Sequence, residues 1–116
     1  MQSGQELIKA IGWREWGDAK KIIEKDTTGE VVRFVDNEGR NPLHRACSRG
    51  APPDLMKVLL SYSDEDTLML RDKNGLTPLH WAVSSSSDET VITMVMEACP
   101  RAATVTDKAG RTPYDL

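Results

Sequence analysis

Aromatic residues are scarce in this 116-residue chain, which holds three Trp, two Tyr and one Phe. Leu, Ile, Val and Phe together supply 24 residues, about 21 %, just above the roughly 20 % below which chains tend to disorder. A compact core is allowed; a large greasy one is not. Cys47 and Cys99 are the only cysteines, too few for a disulfide framework, so a reducing compartment, cytoplasm or nucleus, is expected. Apolar runs such as Val31-Val32 and Met94-Val95-Met96 fall far short of a bilayer span, so no membrane insertion is expected. Residues 1–6 carry neither a basic nor an apolar leader segment. Net positive charge is absent too. Fifteen Lys and Arg against eighteen Asp and Glu leave −3, which argues against a generic nucleic-acid binder.

Signatures of catalysis and metal binding are also missing. No phosphate-binding glycine loop, G-x-S-x-G or H-E-x-x-H occurs. His44 and Cys47 lie three residues apart, but His80 and Cys99 stand elsewhere, and no Cys-x-x-Cys or His-x-x-x-His pair exists. The acidic runs 64–66 and 88–89 read as solvated turns and helix starts. Met56, Met69, Met94 and Met96 sit beside Val and Leu and read as core filling. No enzyme activity, metal or cofactor is expected.

What is present is repetition. Asp36-Asn37-Glu38-Gly39-Arg40-Asn41-Pro42-Leu43-His44-Arg45-Ala46 aligns with Asp72-Lys73-Asn74-Gly75-Leu76-Thr77-Pro78-Leu79-His80-Trp81-Ala82, with Asp, Gly, Pro, Leu, His and Ala in common. A third copy begins at Asp107 and runs through Gly110, Thr112 and Pro113 to Leu116. The spacings are 36 and 35 residues, a period that means stacked supersecondary units. Each shared residue has a task. Asp36, Asp72 and Asp107 can hydrogen-bond the backbone two residues on. Gly39, Gly75 and Gly110 can take the positive φ of a tight turn. Asn41, Thr77 and Thr112 are N-cap types, each followed by a proline at the first helical position: Pro42, Pro78 and Pro113. Leu43 and Leu79 then face a core, and Ala46 and Ala82 permit close helix contact.

A second apolar helix is expected after each motif helix, over 54–60 in the first unit. In the second unit Ser86-Ser87-Asp88-Glu89 has capping-box spacing, and Cys99-Pro100 stops the helix. The serine run 84–87 thus reads as a loop and helix start. The stretches 61–71 and 97–106 read as loops. Upstream, Leu7, Ile8 and Ile11, then Ala19, Ile22 and Ile23, suggest a helix pair, broken near either Gly12 or Gly17. Core or cap packing is favoured for Trp13 and Trp16, although the position of the break decides where both point.

The D-x-x-G-x-T-P-L-H-x-A pattern, met in full at 72–82 and with one exchange at 36–46, resembles the ankyrin repeat, in a divergent, long-loop form. The resemblance implies an all-helical solenoid of stacked helix-turn-helix units with β-hairpin-like tips. It places a diverged capping repeat at 5–35, repeats at 36–71 and 72–106, and the start of a further repeat at 107–116. It implies that His44 and His80 tie a helix start to neighbouring backbone, and that Cys47 fills a small buried position. At the end, four residues from Pro113 are too few for a stable helical turn. Further repeats or a partner chain are therefore expected to cover that face, and a chain extended by a helix pair should be the more stable.

Ankyrin repeats resemble one another in using a concave face made of tips and first helices. Carried over by position, the candidates are Asn37, Glu38, Arg40, Ser48 and Arg49; Lys73, Asn74, Leu76, Ser84 and Ser85; and Lys108, Ala109 and Arg111. Five of these are basic and one acidic, a local sum of +4 on an acidic chain. Such a face favours an acidic protein or peptide partner. Arg45 and Trp81 follow the histidines and are residue types common at binding hot spots, although Trp81 is expected to pack partly between repeats, with only its edge reaching the concave side. The function implied is non-catalytic protein–protein recognition. The rival readings are a regulatory segment of a larger enzyme or channel and a structural subunit of a large assembly.

Overall fold

Each aspartate of the repeated motif organises the same turn three times. Asp36 Oδ1 accepts from the N–H groups of Glu38 and Arg40 at 2.9 and 3.0 Å. Asp72 Oδ1 does so from Asn74 and Leu76 at 2.9 and 3.0 Å, and Asp107 Oδ1 from Ala109 and Arg111 at 2.8 and 2.9 Å. Backbone bonds close each loop: Gly39 N–H to Asp36 O and Asp36 N–H to Arg40 O, with the same pairs at 72–76 and 107–111. The carboxylate that accepts two backbone donors reinforces these hairpin-like backbone bonds, and the described residues contain no strand.

The computed structural model describes residues 3–26, 29–85 and 88–115. Helices α1 (Ser3–Gly12), α2 (Trp16–Lys25) and α3 (Glu30–Arg33) precede the first tip. Then follow α4 (Pro42–Arg49), α5 (Pro53–Ser61) and α6 (Glu65–Met69). After the second tip come α7 (Pro78–Ser84), α8 (Glu89–Ala98) and a 3₁₀ turn at Pro100–Thr104. The third tip leads into a 3₁₀ turn at Pro113–Asp115. First helices pack in a row, α1 on α4 on α7, with α2, α5 and α8 in a second row behind. The ankyrin reading of the fold holds: this is an all-helical stack.

Local chemistry sets the helix ends. Pro42 and Pro78 open α4 and α7 at their first position, and Asn41 and Thr77 cap them by accepting from the N–H groups of His44 and His80 at 3.0 and 3.3 Å. Asp88 caps α8 through Thr90 N–H at 2.9 Å, while Ser86 and Ser87, assigned to that cap from sequence, lie outside the described residues. Leu43, Ala46, Leu79 and Ala82 are fully buried where α4 and α7 pack in the core. Leu55, Met56 and Leu59 of α5 and Val91 and Val95 of α8 close the core from the second row. Met69, Met94 and Met96 pack against its edge.

Several expectations are corrected. The stretch read as a loop at 61–71 holds α6, because Asp64 caps it twice, through Thr67 N–H and Oγ1–H at 2.8 and 2.7 Å. Residues 100–104 form a 3₁₀ turn, joined to α6 by an Arg101–Glu65 ion pair of 2.9 Å. The residues after Thr112 do close a turn, because the Asp115 carboxylate accepts from both Thr112 N–H and its hydroxyl. Upstream, the break falls between Gly12 and Trp16, where Arg14 turns the chain at φ 59°. Trp13 is not packed in the cap; it is 72 % exposed. Two residues past Ile11 is about 200° around a helix, so Trp13 faces away from the Leu7–Ile11 stripe. Trp16 starts α2 and is half-buried against the core.

Successive tips touch at their glycines. A Cβ on Gly75 would lie 2.8 Å from Lys108 N and 3.1 Å from Asp107 Cα, whereas one on Gly110 would meet nothing within 4 Å. Both glycines have positive φ, 81° and 78°. Gly110→Ala should therefore cost about 1 kcal/mol for backbone strain alone. Gly75→Ala adds a backbone clash and should cost about twice that or more, as urea unfolding of the two variants will show. Equal losses would mean that the tips do not press on one another.

Candidate functional site

The imidazoles join one unit to the next. His44 Nδ1 accepts from Asn41 N–H at 3.1 Å, which leaves the proton on Nε2, and Nε2 donates to Leu76 O in the second tip at 2.8 Å. His80 repeats the arrangement with Thr77 N–H at 3.1 Å and Arg111 O of the third tip at 3.0 Å. Both rings are fully buried. Direct backbone bonds add to this joint: Lys73 N–H donates to Glu38 O at 3.0 Å, and Lys108 N–H to Asn74 O at 3.1 Å. The three tips thus form one continuous row.

Along this row the candidate side chains fall into two groups. Asn37, Glu38, Lys73, Asn74, Lys108, Ala109 and Arg111 are exposed on the tips, and Arg49 and Ser84 are exposed at the ends of α4 and α7. Leu76 and Ser48 are half-buried; Ser48 donates its hydroxyl to Arg45 O at 3.0 Å. Ser85 is spent on structure, its hydroxyl donating to Cys47 O at 2.8 Å. Cys47 itself is a sealed core thiol, which burial pushes up to about 12, so it stays protonated and unreactive.

The motif aspartates take up much of the positive charge. Arg40 Nε lies 3.2 Å from Asp72 Oδ2, and its guanidinium stacks 4.6 Å from the centroid of the Trp81 ring. Trp81 Nε1 donates to the same oxygen at 2.9 Å. Arg45, at the matching place in the first unit, reaches Asp36 through Nε and Nη2 at 2.9 and 2.6 Å. Arg111 pairs with Asp107 at 3.0 Å. Burial alone would raise the Asp36 and Asp72 carboxyls. The hydrogen bonds from Arg45 to Asp36, and from Trp81 and Arg40 to Asp72, together with the tip N–H groups, outweigh burial and hold both below the usual range. The Arg111 backbone N–H does the same for Asp107. The sum of +4 therefore overstates the free charge: Arg40 and Arg111 are neutralised, while Lys73, Lys108 and Arg49 have no ion pair among the described residues.

Sequence reasoning missed a further feature at the first tip. A groove of about 440 Å³ opens between α1 and residues 34–38, with Ile8, Phe34 and Val35 in its wall. Val35 is 46 % exposed. The signal was available, since an apolar Val stands just before Asp36, where the equivalent residue of the second unit is Arg71. Among the described residues no group of His, Cys, Asp and Glu could hold a metal ion. No described helix is long and apolar enough to cross a membrane.

Three successive tips each lead into a proline-led helix or turn, and His44 and His80 latch the first two units to the tip that follows. A sequence model described as "Ankyrin repeats (3 copies)" matches residues 14–113. The chain belongs to the ankyrin-repeat family. It is 36 % identical over 75 residues to "Ankyrin repeat domain-containing protein SAT10" of Stachybotrys chartarum, covering 65 % of this chain and 4 % of that one. It is 35 % identical over 89 residues to "B-cell lymphoma 3 protein" of Homo sapiens, covering 75 % and 19 %. It is 36 % identical over 83 residues to a "Putative ankyrin repeat protein" of Rickettsia bellii, covering 71 % and 44 %. The chain thus spans less than half the length of each of these relatives. In this ankyrin domain the buried histidines act as structural latches.

Burial drives the His44 imidazole down to about 4 from an ordinary 6.5. The unfolded ring takes a proton near pH 6.5, and the folded ring does so only near pH 4. Stability from this site is thus complete above pH 6.5 and is lost as pH falls from there toward 4. The loss should reach about 3 kcal/mol. It should appear as extra pH dependence of unfolding in the native chain relative to His44→Gln; parallel curves for the two proteins would contradict it.

Proposed function

We propose that this ankyrin domain is a non-catalytic recognition module that binds a protein or peptide along the row of tips and the exposed sides of α4 and α7. Ankyrin repeats are in general protein–protein interaction modules. The observation that carries the reading is the locked row. With the tips bonded to one another and to the helix starts, the surface is ordered before a partner arrives, so binding costs little conformational entropy. Lys73, Lys108 and Arg49 stand free on it and favour an acidic partner. Arg40 and Trp81, held against Asp72, supply a stiff half-buried platform beside them. The division into a capping unit over 5–35, repeats over 36–71 and 72–106, and a further unit from 107 belongs to the same reading. So does a place in the cytoplasm or nucleus.

The experiment is capture of a partner with the intact protein, identification by mass spectrometry, and titration of the purified pair. Joint reversal of Arg49, Lys73 and Lys108 to Glu should weaken that complex about tenfold and flatten its salt dependence. The reversal leaves Arg40 and Arg111 untouched, because changing them would disturb the tips themselves. An unaltered affinity would overturn the basic-face reading.

A further inference from the structure

Among the described residues, the row of tips is open at its first end. Lys73 and Lys108 each follow the motif aspartate and give their N–H to the preceding tip. Asn37 holds the same place in the first tip, and its N–H makes no hydrogen bond among the described residues. The glycine contacts repeat likewise. A Cβ on Gly39 would lie 3.3 Å from Asp72 Cα, and one on Gly75 would lie 3.1 Å from Asp107 Cα, while no glycine of a preceding tip faces Asp36. The vacant seat coincides with the groove lined by Gln5, Ile8, Phe34, Val35, Asn37 and Glu38.

The neighbouring helices restrict what can fill it. Helix α1 packs against α4 as α4 packs against α7. The place of a preceding first helix is therefore taken, and only the place of a preceding tip is free. A full repeat from a second copy would meet α1; a turn of polypeptide with no helix behind it would not. We propose that this seat receives a glycine-containing turn of a partner protein, which adds a fourth member to the row. Its carbonyl accepts from Asn37 N–H, as Glu38 O does from Lys73 and Asn74 O from Lys108. Its glycine lies against Asp36 Cα. An apolar side chain beside that glycine covers Ile8, Phe34 and Val35. Asp36 and Arg45 also line the groove but hold one another, so the Glu38 carboxylate, without an ion pair among the described residues, favours a basic residue on the incoming turn. The proposal rests on the recognition reading above but uses the opposite end of the row from Lys108, and different side chains.

The test uses a disulfide-constrained random-peptide display library panned on the full chain. Enriched peptides should share a glycine with an apolar neighbour. Their affinity should fall at least tenfold on Asn37→Pro, which deletes the N–H at the second position of a turn, where proline is favoured. It should fall as much on Val35→Asp, at a half-open site where folding is tolerant. The triple reversal of Arg49, Lys73 and Lys108 should leave it within about twofold. Matching thermal midpoints establish that each variant is folded, and Val35→Asp alone decides if Asn37→Pro is not. Three results overturn the proposal: no enriched peptide, enriched peptides indifferent to both groove substitutions, or self-association of the chain that Asn37→Pro abolishes. Binding lost only in the triple variant would overturn the seat and leave the recognition reading standing.

Discussion

A buried imidazole bonded on both sides is the joint on which this stack depends. One ring nitrogen of His44 completes the cap of its own helix, and the other reaches Leu76 O in the next tip. Helix start and neighbouring tip are thereby fixed by one rigid side chain, without strand pairing. A ring that must accept on one face and donate on the other works only when neutral, and burial keeps it so. The asparagine or threonine before the proline is part of the same joint, since it both caps the helix and gives its N–H to the ring. Leu43 and Leu79, next to the histidines in sequence, are fully buried in the core.

The tips inherit their order from that joint, and their charge follows. Each motif aspartate is a turn anchor first, with one oxygen spent on two backbone donors. The second oxygen then attracts whatever cation is near: Arg45 within its own unit, Arg40 from the tip before, or Arg111 within the same turn. Trp81 takes the place of Arg45 and donates an indole N–H to the same kind of oxygen. An arginine and a tryptophan at one motif position are therefore two solutions to one problem, which is to satisfy a carboxylate set back behind the tip. Lys73, Lys108 and Arg49 are the candidate-face cations that no aspartate holds among the described residues.

The sequence displayed the repeats because glycine, proline and histidine make demands on backbone that few other residues meet. Spacing alone placed the tips and the starts of α4 and α7. It did not reveal α6, where a single Asp64–Thr67 cap turns a stretch lacking periodicity into helix. It misjudged Trp13, because the helix break could not be placed to the residue and two positions turn a side chain to the opposite face. The charge of the candidate face was read too simply. Arg40 and Asp72 are 32 residues apart in sequence and touch only after the units stack. The groove at the first tip had the same obstacle: α1 packs on α4 and meets residues 34–38 only after the units stack, a fact of assembly that no residue type announces.

Amide hydrogen exchange at the tips tests the central claim most directly. If the tips form one bonded row held by the histidines, the N–H groups of Lys73 and Lys108 exchange slowly, in step with the interiors of α4 and α7, while that of Asn37 exchanges rapidly. If Lys73 and Lys108 exchange as fast as Asn37 while the two helices stay protected, the row does not exist as a unit and the account fails.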